Sequence, residues 1–366
     1  MITSSLIDWL LTCNEPWTRY RTCVDLLGMP ETESEVAAAR ASILAHPQVQ
    51  SLVEAARTWP GRVLRRHNDA SHPLYALSVL ADFGLRRDDP GMTEAIDAVL
   101  AHQSTQGAFQ TLVNIPKAFG GNDTDQWAWM LCDAPTLLYV LLAAGLQEDE
   151  RVQQAAQHLS KLQYENGYPC TAAPELGGFR GPGRKTDPCP IANVYALKAL
   201  SLQPNPMSHS AAHAASQAIL GHWEQRETKK PYLFGMGTDF RKLKYPFVWY
   251  DILHVVDTLS RFDFVHQDPR FIEMFQTITG QADEQGCYTA GSMYQAWKGW
   301  SFADKKNPSP WLTFLMLRII HRVSTHQSSP AQTTPLSKPG LLIQAAKHAR
   351  GGHPDGSAAR HCRKRA

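Results

Sequence analysis

Three cations precede a carboxyl and a thiol in one short segment, directly before a predicted helix. These residues are Arg180, Arg184, Lys185, Asp187 and Cys189. Basic side chains beside a helix N-terminus are suited to hold a phosphate group. Asp and Cys are zinc donors, but Asp is also a favoured N-cap and free Cys packs as a small apolar side chain. The segment therefore predicts either an anion or metal site, or a solvated loop before a capped helix.

Acidic and imidazole groups also stand at or near other predicted helix starts. Asp133 precedes an apolar helix and is either its N-cap or, if burial raises its pKa, a general acid. Asp251 and His254 lie three residues apart in the apolar stretch VWYDILHVV, on one helical face. A buried ionised Asp is unfavourable alone, so Asp251 needs a cation, a metal ion or a proton. We predict catalytic roles for Asp133, Asp187 and Asp251.

Aromatic side chains flank the same helix starts. They are Trp127, Trp129, Trp249, Tyr250, Trp297, Trp300 and Trp311. Aromatic faces stabilise carbocations through cation–π contact, whereas the same rings also stack on sugars or fill an ordinary core. Among them we predict Trp249, Tyr250 and Trp311 as residues that bind substrate.

The elements that position these residues form an internal repeat. Six times a polar, glycine-bearing loop leads to a proline and then to an apolar helix, at intervals of 57, 62, 55, 56 and 64 residues. The prolines are Pro16, Pro73, Pro135, Pro190, Pro246 and Pro310. Proline suits the first helical turn because its missing N–H would be unpaired there. A period near 60 built of helix pairs predicts an all-α fold, an (α/α)6 toroid of six helical hairpins over residues 1–322.

Bulk composition narrows the class of protein. The chain has 366 residues, a net charge of +2 and no apolar run of the ~20 residues that span a bilayer. The N-terminal stretch lacks a basic region and is predicted to be an amphipathic helix. Seven scattered cysteines predict free thiols and a cytoplasmic location. Residues 323–366 are predicted to be a disordered basic tail, the one part expected to touch nucleic acid.

Two features resemble the terpenoid cyclase and protein prenyltransferase β-subunit superfamily. The turns HQSTQGAF and LQYENGY are similar to its outer-helix turns, and GGFRGPGRKTDPCPIANVYALKAL (177–200) resembles the prenyltransferase segment with basic residues before an Asp-x-Cys pair. The resemblance implies a squalene-cyclase-like toroid with a central cavity for an isoprenoid. It also implies that Asp187 and Cys189 bind zinc and that the three cations hold a prenyl diphosphate.

The chain departs from the family pattern at two places. Where the family has a third zinc ligand, a His, this chain has Asp251, with His254 three residues on. The expected zinc donors are thus Asp187, Cys189, Asp251 and His254. The Asp-x-Asp-Asp motif of the protonating cyclases is missing, and DTDQ (123–126) is the nearest string.

These patterns favour an isoprenoid-handling enzyme that binds a prenyl diphosphate or polyprenyl substrate, with zinc as its expected cofactor. The resemblance to prenyltransferases also implies that a partner subunit can be needed. Two alternatives stay open. One is a carbohydrate-active toroid enzyme that uses paired Asp residues. The other is a non-catalytic binding protein that kept the architecture and lost the chemistry.

Overall fold

The computed structural model of the chain describes residues 2–179, 184, 186–203, 206–228 and 235–326. This part of the chain is predominantly α-helical, which confirms the all-α class. Its helices are α1 Ser4–Thr12, α2 Pro16–Arg21, α3 Ser34–Ala45, α4 Pro47–Arg57, α5 Pro73–Phe83, α6 Met92–Leu100, α7 Ala134–Ala143, α8 Glu150–Lys161, α9 Pro190–Leu200, α10 Pro206–Glu224, α11 Ile252–Leu259, α12 Pro269–Thr279 and α13 Pro310–His326. The strands are β1 Thr111–Val113 and β2 Gln126–Ala128, paired antiparallel.

Proline occupies the first turn of five of the six helices predicted to begin with it. These are α2, α5, α7, α9 and α13. Every residue of α5 and of α9 is buried, because each of these helices is packed on all sides. Buried apolar faces all round a helix are what a helix in an inner layer requires.

The sixth prediction was wrong, because Pro246 does not begin a helix. Helix α11 begins only at Ile252, where the side chain of Asp251 accepts the N–H of His254. The residues between are not helical, and Phe247 is buried with its ring stacked on the His254 ring, 4.6 Å between centroids. Capping by Asp251 and packing of the aromatic segment therefore override the proline signal.

The six inner helices contact one another in a closed order. Helix α2 contacts α5, and the order continues through α7, α9, α11 and α13, which contacts α2 again. Helices α3, α4, α8, α10 and α12 pack on α2, α5, α7, α9 and α11, respectively. These outer helices are buried on one side only: α8, for example, buries just Val152, Ala155, Ala156, Leu159 and Ser160.

Aromatic turns tie outer helices to the next inner helix. After α8, Gly167 has φ +102°, and an added Cβ would lie 2.5 Å from Oδ1 of Asn193 on α9. That Asn accepts the Tyr168 N–H at 2.9 Å and donates to the Tyr168 carbonyl at 2.8 Å. After α12, the Tyr288 N–H is bound in the same way by the Thr313 hydroxyl of α13. Glycine is needed at the first turn because a side chain there would collide with the inner helix.

The chain divides by its contacts after Gln327. Helix α13 runs to His326, past the predicted end of the helical domain at 322. Residues 327–366, most of the predicted tail, lie outside the described residues, so the tail stays a prediction. Within the described residues, no helix combines the length and the apolar character needed to cross a bilayer.

Candidate functional site

Each inner helix begins directly after a buried polar residue. These residues are Glu15, His72, Asp133, Cys189, Asp251 and Ser309. The first N–H groups of a helix have no partner within the helix, so a side-chain acceptor at this position stabilises it. A polar group is therefore expected at each start. Asp133 and Asp251 also each have one buried carboxyl oxygen without a hydrogen-bond partner among the described residues.

Asp133 lies fully buried before α7 and uses only one of its carboxyl oxygens. Its Oδ1 accepts the Ala134 N–H at 2.6 Å and the Met130 N–H at 3.0 Å. Its Oδ2 is buried and has no hydrogen-bond partner among the described residues. Burial raises the pKa of Asp133 to about 7, although the backbone N–H donors oppose the change.

Asp251 repeats this arrangement before α11. Its Oδ1 accepts the His254 N–H at 3.2 Å, and its Oδ2 is buried without a hydrogen-bond partner in the described part of the chain. Burial raises the pKa of Asp251 to about 8, while the positive charge of Lys244 acts in the opposite direction. At neutral pH this carboxyl therefore holds its proton and has one oxygen that none of the described residues binds.

Two tyrosines, Tyr195 and Tyr294, lie near these buried carboxyls. Tyr195 of α9 lies close enough to Asp133 and Asp251 that both charges add to the effect of burial, which raises its pKa. Its hydroxyl donates to the Val248 carbonyl at 2.8 Å. Tyr294 also lies near Asp251, and its buried hydroxyl has no partner among the described residues. Tyr195 thus lies within electrostatic range of both Asp133 and Asp251, although 118 positions separate the two aspartates in the sequence.

The three predicted aromatic residues differ in their surroundings. Trp249 is half-buried, and Tyr250 is buried with its hydroxyl 3.3 Å from the Gly235 carbonyl. Both lie directly before Asp251. Trp311 is fully buried and packs edge-on against Phe83, 5.0 Å between ring centroids. Its contacts are those of a core residue.

The basic segment before α9 is described only in part. Arg180 and Lys185 lie outside the described residues, so their predicted role stays a prediction. Arg184 is exposed, and its backbone N–H donates to Oδ2 of the half-buried Asp187 at 2.9 Å. Cys189 is buried, and burial raises its pKa to about 12. Its thiol is therefore protonated at neutral pH, whereas a zinc ligand must be a thiolate.

His254 has one ring nitrogen at the backbone and the other without a described partner, an arrangement that metal-binding histidines also have. Its Nδ1 lies 2.8 Å from the Trp249 carbonyl, and its Nε2 is buried with no hydrogen-bond partner in the described residues. Burial lowers its pKa to about 3, so the ring is neutral. However, no three His, Cys, Asp or Glu side chains of the described residues are grouped to hold a metal ion. These residues alone do not form a zinc site, and zinc binding stays a prediction.

An apolar cavity of about 20 Å³ lies between α7 and α8. Phe109, Trp129 and His158 are among its lining residues. A space of this size holds about one water molecule. It is therefore not a site for an isoprenoid or a sugar.

Sequence reasoning missed Glu15, Tyr195, Tyr294 and Lys244. Glu15 carried a usable signal, since it directly precedes Pro16 just as other polar residues precede the later inner helices. The two tyrosines carried none, because their proximity to Asp251 arises from packing between distant segments, and Lys244 lies seven positions before Asp251 without a recognisable pattern.

Comparison with known proteins assigns no family to this arrangement. No model of a known protein family matches the chain, and no curated protein matches it. The functional interpretation therefore rests on the geometry above and on the resemblance of residues 177–200.

Proposed function

We propose that the chain is an (α/α)6 toroid and an isoprenoid-handling enzyme that begins its reaction by protonating a hydrophobic substrate. The closed order of contacts from α2 to α13 and back supports the toroid. In such a toroid the inner helix starts would surround one central cavity, and groups remote in sequence would act on the same substrate.

The state of the Asp251 carboxyl carries the proposal. It is buried, it holds a proton at neutral pH, and one oxygen has no partner in the described protein. A general acid is most effective when its pKa lies near the working pH. The adjacent Trp249 and Tyr250 provide aromatic faces of the kind that stabilise a carbocation. Asp133 is a second acid of the same kind, with a pKa of about 7.

The proposed step balances without a further reactant. The π electrons of a substrate C=C bond form a new C–H bond while the O–H bond of Asp251 breaks, which leaves a carbocation and a carboxylate. The carboxylate is stabilised by Lys244 and by the N-terminus of α11. After rearrangement, the product carbocation loses a proton to form a new C=C bond, and proton return restores the acid.

The predicted substrate-binding residues complete the proposal. Arg180, Arg184 and Lys185 would bind the diphosphate of a prenyl substrate, and Trp249 and Tyr250 would provide the aromatic wall beside Asp251. A cytoplasmic location remains part of the proposal, and it agrees with the free thiols of the described cysteines.

Incubation of the full chain with farnesyl diphosphate, geranylgeranyl diphosphate and squalene tests this function, with products identified by mass spectrometry. Asp251→Asn keeps a cap acceptor but has no acidic proton, so turnover should fall by about 10²–10⁴-fold. Asp97→Asn, in an exposed pair with Arg87, is the matched control and should keep activity. Equal product from Asp251→Asn and wild type would reject Asp251 as the acid.

The transferase form of the proposal adds zinc. Asp187 and Cys189, with Asp251 or His254, would be the donors, and zinc would polarise a thiol or a diphosphate. Elemental analysis of the purified protein tests this form. One zinc per chain that is lost in Cys189→Ala supports it, and protein without zinc contradicts it.

A further inference from the structure

Four arginines gather where α2, α11 and α13 meet, away from the inner helix starts. Arg21 ends α2, Arg261 follows α11 by two residues, and Arg318 and Arg322 lie in the C-terminal half of α13. Helix α13 contacts α11, α2 and the π-turn Thr22–Leu26 that follows α2. We call these four side chains the arginine cluster.

One carboxylate stands at the centre of the arginine cluster. Asp257 is fully buried and lies 2.9 Å from Arg318, 3.0 Å from Arg322 and 3.1 Å from Arg261. Burial alone would raise its pKa, but the three guanidinium groups hold that pKa well below its usual range. Asp257 is therefore ionised whenever the protein is folded near neutral pH.

A second carboxylate joins the remaining arginine to the cluster. Asp25 lies 2.9 Å from Arg21 and 3.3 Å from Arg318. The neighbouring buried pair of Lys198 and Asp82, 2.9 Å apart, is balanced by itself. Among the described residues, the arginine cluster thus sets four guanidinium groups against two carboxylates, a surplus of two positive charges.

The pKa of Arg322 is lowered by its surroundings. Burial and the charge of Arg318 lower its pKa to about 9, even though Asp257 lies beside it. A guanidinium is normally protonated at all accessible pH values. The pKa values of Arg261 and Arg318 are raised instead, because burial is outweighed at those two side chains by nearby negative charge, that of Asp257 above all, so the repulsion by Arg318 is felt at Arg322.

Unused donors point to where an anion would bind. The Nε–H groups of Arg21, Arg261 and Arg318 are buried and have no hydrogen-bond partner among the described residues. The Arg318 side chain is only 5% exposed, so its Nε cannot be satisfied by bulk water. Leaving a buried donor unpaired costs about 1–3 kcal/mol. Arg21 and Arg322 are 23% and 22% exposed, so the cluster reaches the protein surface at these two side chains.

Helix C-termini explain only part of this arrangement. Cations near the last carbonyls of a helix are favourable, and Nη1 of Arg322 donates to the Asp257 carbonyl at 3.2 Å. That role uses Nη atoms and satisfies no Nε. It also needs no surplus of two charges around Asp257 and Asp25.

We propose that the arginine cluster binds a phosphate group as a dianion, which accepts the free Nε–H donors and balances the two surplus charges. Guanidinium groups match phosphate oxygens in geometry and charge. The group is either free inorganic phosphate or part of a diphosphate. This site is separate from the acidic site of Asp251 and does not depend on the proposed reaction.

Isothermal titration of the full chain with sodium phosphate and with sodium pyrophosphate tests the site at pH 7.5. We expect saturable binding of one anion per chain, and the tighter of the two ligands identifies the source. Thermal unfolding should show a matching rise in Tm with the same ligand, since a ligand that binds only the folded state stabilises it. Sodium chloride at equal ionic strength is the control for screening.

Arg261→Gln and Arg322→Gln should each weaken binding by at least about tenfold, the effect of losing a charged hydrogen bond. Arg87→Gln, which changes an exposed arginine elsewhere, should bind as the wild type does. Circular dichroism confirms that the variants fold, and Arg322→Gln serves as the milder change because Arg322 is partly exposed. Absence of saturable binding, an equal Tm rise with chloride, or full affinity in both folded cluster variants would each overturn the proposal.

Discussion

Helix α11 has a buried aspartate at each end, and the two behave in opposite ways. Asp251 before its first turn and Asp257 near its last turn are 4% and 0% exposed. The pKa of Asp251 is raised to about 8, whereas that of Asp257 is held well below its usual range. Burial acts on both, so the difference comes from their partners: one backbone N–H for Asp251 and three arginines for Asp257. Although both side chains are buried, Asp251 is therefore protonated at neutral pH and Asp257 is ionised.

Asp133 and Asp82 are also both buried and have pKa values shifted in opposite directions. Asp133, at the start of α7, is raised to a pKa of about 7. Asp82, near the end of α5, has a lowered pKa despite burial, because Lys198 lies 2.9 Å away and Tyr139 donates to it at 2.7 Å. Asp133 and Asp251 at inner helix starts thus have raised pKa values, whereas Asp82 and Asp257 near helix ends have lowered pKa values and pair with cations of other helices.

The largest expected effect is at Asp257. Asp257→Asn leaves three guanidinium groups without their central charge, so the free energy of unfolding should fall by about 3–5 kcal/mol. Urea unfolding at pH 7 measures it. Asp97→Asn, in an exposed pair, should cost less than about 1 kcal/mol. Equal losses in the two variants would contradict a structural role for the arginines around Asp257.

The next effect is at Asp82, with a double variant that isolates the ion pair. Asp82→Asn alone leaves Lys198 charged and buried, which should cost about 3 kcal/mol. Adding Lys198→Met removes the stranded charge and should recover at least half of the loss. Urea unfolding of the single and double variants gives the coupling energy. Additive losses would show that the pair is not coupled.

A pH-dependent effect is expected at Asp251. Its pKa is about 4 in the unfolded chain and about 8 in the folded protein, so between these values the folded state keeps a proton that the unfolded state releases. Stability contributed by this group therefore falls as pH rises, by roughly 1.4 kcal/mol per unit. Asp251→Asn should gain stability relative to wild type from pH 5 to pH 8. A difference that stays constant over this range would contradict the raised pKa.

The smallest expected effect concerns the hydroxyl of Tyr245, which binds the buried carboxylate of Asp82. Tyr245 donates to Oδ2 of Asp82 at 3.0 Å, and both residues are buried. Tyr245→Phe keeps the ring packing and removes one charged hydrogen bond, so unfolding should become easier by about 1–2 kcal/mol. The loss should disappear when Tyr245→Phe is made in the Asp82→Asn, Lys198→Met background. Persistence of the full loss there would assign it to packing.

Local sequence patterns predicted the helical class and five of the six proline-led helix starts, with Asp133 among the expected N-caps. These features depend on the backbone of a few neighbouring residues, which is why proline and an N-cap side chain reveal them. The failure at Pro246 marks the limit of such signals, since aromatic packing and the cap at Asp251 moved the start by six residues.

Only the tertiary structure decided which buried aspartates are charged. Asp82 meets Lys198 across 116 positions and Tyr245 across 163, and Asp257 meets Arg318 across 61. In the local sequence only Arg261, four residues after Asp257, distinguishes Asp257 from Asp251, and the other two arginines come from α13. The protonation state of a buried carboxyl depends on the charges within a few ångströms of it, and the packing of distant helices determines which charges those are.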